Sequence, residues 1–271
     1  MYLYVYFLLI AINYQMMLNG GIKIYETDDL AFIQECVQDL SSNDLVLFDI
    51  DDTLIVAVDE ILKPINDCFF DLLTNYTEND LDLWHKIHLQ APQTLVDKRS
   101  VTLIAQLQRM GITTLAFTAA YGQLPNEEAP CDWRITELSN FGYDFSSALP
   151  QVSFIELPLL SSQSEHLPMY KSGILFSACH PKGITLHHFL EKIGWLPNRI
   201  VFIDDVLKNV LSVTEAMNNI GVDCIGIHYK AAYSLLSKID IEQARNQIHH
   251  FLNCNDWISD KEWNKSQTPL E

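Results

Sequence analysis

The sequence predicts an α/β protein: a doubly wound parallel sheet carrying a small helical cap and a β-hairpin insertion. Three observations predict it. Short, largely apolar runs at residues 45–48, 112–117, 199–203 and 224–229 have strand length and lack the alternation of a half-exposed strand. Stretches of helical periodicity lie between them, which is the pattern of a parallel sheet with crossover helices. Polar residues also gather where these runs end: Asp49 and Asp51 after the first, Thr118 after the second, Asp204 and Asp205 after the third. In open α/β sheets, ligands sit in the crevice beyond the carboxyl ends of the strands.

From the N-terminus, residues 1–12 are apolar, too short to span a bilayer comfortably and similar to the apolar core of a secretory signal. No Lys or Arg precedes them, and residues 13–19 lack a clear small-residue cleavage site, so export and cytoplasmic retention both stay open for the segment 1–19. Residues 27–40 read as an amphipathic helix with Leu30, Ile33, Val37 and Leu40 on one stripe. After the first strand, two helices are expected between Pro64 and Gln90, interrupted near residues 76–79, as a cap over the strand end. A helix at 99–110 stops at Gly111 and feeds the second strand.

Residues 122–130 read as loop and 133–141 as helix. Residues 152–157 and 173–179 read as the two strands of a hairpin around a Ser-rich turn. Lys182 opens a helix running to about Ile193, a further helix covers 206–218, and a last one covers 231–252 on an exposed face. The expected domain plan is a core of 27–62 and 98–252, a cap of 63–97 and a loosely held tail of 253–271.

A length of 271 residues and 48% hydrophobic composition suit a sizeable core with one insertion. The net charge of −18, with no basic run, argues against binding a nucleic-acid backbone. The six cysteines form no Cys-x-x-Cys pair, which argues against structural zinc, and Cys179 and Cys224 read as buried thiols. His85, His88, His180, His187 and His188 lack metal-ligand spacing on one element, although His180 lies close enough to Lys182 to touch a substrate.

The string Asp49-Ile50-Asp51-Asp52-Thr53, then Thr118, Lys182 and Asp204-Asp205, resembles the haloacid dehalogenase superfamily of phosphohydrolases, whose motifs come in this order. The resemblance covers residues 45–229 and is similar in detail to a poorly characterised bacterial branch. It implies a Rossmann-like core of that superfamily's type, a Mg2+-dependent phosphatase activity and an aspartyl-phosphate intermediate. The residue types suit that chemistry on their own terms. A carboxylate nucleophile, Asp49, forms an acyl phosphate that is itself a good leaving group. Asp51 protonates the departing alkoxide and then activates water. Asp49, Asp204, Asp205 and the backbone carbonyl of Asp51 supply oxygens to Mg2+. Thr118 and Lys182 stabilise the phosphoryl oxygens, and Thr53 braces the turn. A small phosphorylated molecule is the expected substrate. A phosphotransferase or phosphomutase would use the same residues, and an inactive binding module is the alternative from a different class.

Overall fold

The computed structural model describes residues 15–18, 22–66, 69, 72, 80–122, 132–162 and 164–266. The apolar segment 1–12, the loop expected at 122–130 beyond Gly122, and most of the first expected cap helix lie outside the described residues. In chain order the elements are β1 (Gln15–Leu18), β2 (Ile22–Thr27), α1 (Leu30–Val37), β3 (Leu45–Phe48), β4 (Ile55–Ala57), a 3-10 turn (Glu60–Leu62), α2 (Asp80–His88), β5 (Gln93–Leu95), α3 (Arg99–Arg109) and β6 (Thr113–Thr118). They continue with α4 (Asp132–Asn140), β7 (Phe154–Glu156), β8 (Met169–Lys171), β9 (Ile174–Phe176), α5 (Lys182–Ile193), β10 (Arg199–Asp204), α6 (Leu207–Asn219), β11 (Asp223–Tyr229), a second 3-10 turn (Ala231–Ser234), α7 (Ile241–Cys254) and α8 (Asp260–Ser266).

The chain forms two compact units, Met1–Leu54 with Asp97–Ala231, and Ile55–Val96 with Ala232–Glu271. The first holds a sheet ordered β1-β2-β11-β10-β3-β6-β9-β8-β7. The strands from β2 through β11, β10, β3 and β6 to β9 run parallel, while β1, β8 and β7 pair antiparallel at the two edges. Leu45, Leu47, Leu115, Phe117 and Phe202 form one core with Leu186 and Phe189 of α5 and Val210, Val213 and Met217 of α6. The alternate residues Val46, Phe48, Val201 and Ile203 are equally buried. Burial on both faces is why these strands read as unbroken apolar runs.

The hairpin is built differently from the sequence expectation. Residues 154–156 pair with β8, and β8 in turn with β9, so the two segments expected to pair have a third strand between them. The turn is Ser172-Gly173, both with positive φ (48° and 86°), the conformation that a two-residue hairpin loop demands. A Cβ on Gly173 would also lie 1.9 Å from the carbonyl oxygen of Phe145. Residues 15–18, grouped in the sequence with the apolar N-terminal segment, instead form the edge strand β1.

The second unit corrects the expected domain plan. Residues 232–252 do not belong to the sheet domain: Ala244, Ile248 and Phe251 of α7 pack with Ile61, Leu62, Phe69, Leu72 and Ile87. Nor is 253–271 a loose tail throughout. Trp257 is buried, its indole N–H donates to Asp59 Oδ2 at 2.7 Å, and the amide of Asp260 donates to Asp59 Oδ1 at 2.9 Å. Burial, foremost, raises the Asp59 pKa, and these two hydrogen bonds oppose that shift. The helix expected at 231–252 starts only at Ile241, because Asp240 caps it by accepting from the amides of Glu242 and Gln243.

Candidate functional site

The chain leaves β3 towards β6 and β9 on one side, then returns to β10 on the other. The crevice between β3 and β10 is therefore the switch point of the sheet, the usual place for a ligand in an open α/β fold. Ile203 pairs with Phe48 and Phe48 with Ala116, which sets Asp49, one residue on, level with Asp204 and Phe117. The Asp49 amide donates to the Ile203 carbonyl at 2.8 Å and fixes this register past the end of β3.

Lys182 lies beneath that point, 1% exposed. Its ammonium donates to Asp49 Oδ1, to Asp204 Oδ2 at 2.6 Å and to the Phe117 carbonyl at 2.7 Å, so its three donors are all used. Gly183 permits this placement. A Cβ there would lie 2.0 Å from the carbonyl oxygen of Ser212, so α5 and α6 approach closely only because that side chain is missing. Asp204 Oδ1 accepts from the Val206 amide at 2.8 Å and from Asn209 Nδ2 at 3.1 Å, which fixes its orientation at the start of α6.

One carboxylate oxygen from each of Asp49, Asp204 and Asp205 falls within 4.8 Å of the others. This buried trio carries more negative charge than the single Lys182 ammonium offsets. Burial raises the Asp49 pKa to about 7, against the pull of Lys182 and with help from Asp204 and Asp51. Burial, then Asp49 and Asp204, push Asp205 well above the usual carboxylate range. Lys182 is opposed by burial but stays charged, because Asp204 and Asp49 outweigh it. Relief for the trio must come as a proton or a cation. An all-oxygen donor set of this size fits a hard divalent cation such as Mg2+.

Asp51 lies apart from the trio. Its Oδ2 accepts from Thr118 Oγ1 at 3.4 Å and from Arg134 Nη2 at 3.0 Å. Thr118 Oγ1 in turn accepts from the Ala120 amide at 3.0 Å. Asp52, beside it, takes a left-handed conformation (φ 60°), and its pKa is raised by burial and then by Asp51 and Asp49. The backbone bond from the Leu54 amide to the Ile50 carbonyl, 2.9 Å, closes this turn. Thr53 does not brace it through its hydroxyl, which is buried and has no hydrogen-bond partner among the described residues.

The structure thus brings together Asp49, Lys182, Asp204 and Asp205, with Asp51 and Thr118 as a second group held by one hydrogen bond. His180 is a departure: Ser161 Oγ at 2.7 Å and the His166 carbonyl at 2.9 Å occupy its two ring nitrogens, so it anchors the 161–166 loop instead of offering a substrate contact. Arg134 was missed altogether. In sequence, Arg134 and Glu137 look like a solvated pair one helical turn apart, yet Arg134 shares its buried face with Leu138. That four-residue spacing was the available signal.

The chain is similar to proteins of two bacterial genera, Rickettsia and Chlamydia. It is 24% identical over 248 residues to an uncharacterised protein of Rickettsia prowazekii (strain Madrid E), spanning 88% of each chain. It is 28% identical over 148 residues, 55% of this chain and 51% of the relative, to a protein of Chlamydia pneumoniae provisionally named as an outer membrane protein. A similarly named protein of Chlamydia muridarum (strain MoPn / Nigg) matches at 26% over 150 residues, with the same coverage. A family model described as "Protein of unknown function (DUF2608)" matches residues 26–264, which reach into both units and include every residue of the site, and the chain belongs to that family.

Proposed function

We propose that this protein is a Mg2+-dependent phosphatase of the haloacid dehalogenase type, hydrolysing a phosphomonoester of a small molecule through a phosphorylated Asp49. The observation that carries the reading is the buried Lys182 bridging Asp49 and Asp204 at the switch point of the sheet, with Asp205 alongside. A fold-stabilising role alone gives no reason for this arrangement, because burying several carboxylates around one ammonium costs stability that an apolar cluster would keep.

Asp49, Asp204 and Asp205 would hold the cation. When bound, Mg2+ supplies the charge neutralisation that lets a carboxylate and a phosphoryl group approach each other. A carboxylate oxygen of Asp49 attacks phosphorus, and the bond to the leaving oxygen breaks as the acyl phosphate forms. Asp51 delivers a proton to that leaving oxygen. In the second half, Asp51 takes a proton from water, the water oxygen attacks phosphorus, and inorganic phosphate leaves with Asp49 regenerated. Lys182 keeps its positive charge throughout and holds the Asp49 carboxylate in one orientation, while the Thr118 hydroxyl gives its single hydrogen to Asp51 and so steadies the proton donor.

The test is hydrolysis of an aryl phosphate by purified protein with Mg2+. Turnover that stops on chelation and resumes on adding Mg2+ is the expected result. Turnover indifferent to exhaustive chelation contradicts the metal assignment.

A further inference from the structure

We propose that Arg134 is the residue that positions Asp51, and through Asp51 controls departure of the leaving group; the proposal rests on the phosphatase reading above. Arg134 projects from α4, outside every motif that the resemblance contributes. Its side chain is 3% exposed. Nη2 donates to Asp51 Oδ2 at 3.0 Å, Nη1 donates to Glu137, and the guanidinium carbon lies 4.2 Å from the centre of the Trp133 ring. Nε is buried and has no hydrogen-bond partner among the described residues.

A guanidinium so enclosed is costly, since one donor is left unsatisfied and the charge is out of water. A pairing with Glu137 alone needs no burial, because neighbours one helical turn apart pair equally well in solvent. What burial adds is the contact to Asp51, on an element 83 residues away in sequence. Burial opposes the charge on Arg134, but Asp51 and then Glu137 more than restore it, so the guanidinium remains a permanent cation beside Asp51.

Two donors from different elements, Arg134 of α4 and Thr118 of β6, converge on the same oxygen of Asp51. Asp51 thus exchanges its proton with the leaving group from a carboxylate gripped by two donors. The two anchors fix the carboxylate plane and so fix where Oδ1 points. Asp51 lies three residues beyond the end of β3, with the left-handed Asp52 next to it. The planar fork of arginine matters here. It reaches Asp51 with one nitrogen and Glu137 with the other, which a lysine ammonium on a flexible stem does not reproduce.

The experiment compares kcat/KM, which reports on steps up to leaving-group departure, for phenyl phosphate and 2,4-dinitrophenyl phosphate with Mg2+. The proteins are wild type, Arg134→Met, Arg134→Lys, Asp51→Asn and the double variant. Dinitrophenolate departs without a proton, so a residue acting through Asp51 affects it little. Arg134→Met is expected to lower kcat/KM for phenyl phosphate by about 100-fold, the usual scale for a misplaced catalytic group, and by under about tenfold for the dinitrophenyl ester. On the Asp51→Asn background it is expected to add less than about threefold, because residues acting as a unit are not additive. Equal losses on both esters, or full additivity with Asp51→Asn, overturn the proposal and make Arg134 a structural residue only. If Arg134→Met loses its far-ultraviolet helical signal, Arg134→Lys carries the same comparison with the charge retained. A wild type that hydrolyses neither ester overturns the phosphatase reading and this proposal with it, whereas an active wild type with additive variants overturns this proposal alone.

Discussion

Lys182 Nζ and Asp204 Oδ2 meet at 2.6 Å across the start of one helix and the end of one strand, with both side chains sealed from solvent. The same ammonium serves Asp49, so a single cation holds two strand ends, β3 and β10, in one geometry. Removing it exposes what the arrangement costs.

Lys182→Met leaves Asp49 and Asp204 buried without their cation. Breaking a buried ion pair from one side typically costs about 3–5 kcal/mol. Chemical denaturation without divalent cations is expected to show a loss of that order, and Mg2+ is expected to recover part of it. A loss below about 1 kcal/mol would mean that the pair carries little of the stability.

Gly183→Ala tests the helix contact beneath Lys182. The new methyl group would sit 2.0 Å from the Ser212 carbonyl and 2.9 Å from Ala216 Cβ, so α5 must move away from α6. Overpacking of this kind costs roughly 1–3 kcal/mol. Denaturant midpoints measure it, and an unchanged midpoint would contradict the close approach.

Metal binding should depend on pH in a definite direction. Without a divalent cation, burial holds the Asp49 pKa at about 7, so below that pH a cation must displace a proton to bind. Apparent Mg2+ affinity, followed calorimetrically between pH 5 and 8, is expected to rise with pH as Asp49 and Asp205 give up their protons. An affinity flat across that range, or falling with pH, would remove Asp49 from the donor set.

Trp257→Ala probes the second unit. Its ring packs with Phe251 and its N–H satisfies the buried Asp59, so truncation opens a cavity and strips a hydrogen bond together. Large aromatic truncations in cores cost about 3–5 kcal/mol. Protease cleavage within 55–96 or 232–266 is expected to accelerate, which a freely dangling C-terminal tail would not produce. Excising residues 63–90 would likewise uncover Ile248 and Phe251, so a linker replacement there disrupts a whole unit and not a detachable cap.

How much of this was legible in the sequence follows from where each signal resides. Strands β3, β6 and β10 were readable because burial on both faces favours largely apolar composition, and β11 because residues 224–229 form an apolar run of strand length. Asp49, Asp51, Thr118, Lys182, Asp204 and Asp205 were readable because each adjoins a strand end or opens a helix, and their order is itself informative. Strand β2 was not, because Lys23 and Glu26 are exposed within it and dilute its apolar run. The pairing of Asp59 with Trp257 spans 198 residues and leaves no local trace, so the C-terminal residues looked like a tail. The β7–β8 pairing was hidden because three-residue strands carry too little periodicity to show register. Arg134 was hidden because a charged residue on a helix is ordinarily solvated.

The central claim, that Asp49 carries the phosphoryl group, is tested most directly by trapping the intermediate. Protein turning over 2,4-dinitrophenyl phosphate with Mg2+ is quenched in acid within its first cycles, digested, and its peptides weighed. The account predicts the mass of one phosphoryl group on the peptide containing Asp49, lost on treatment with hydroxylamine and missing from Asp49→Asn protein, which also fails to turn over. Steady turnover with no phosphorylated peptide, or with the label on another residue, would contradict it.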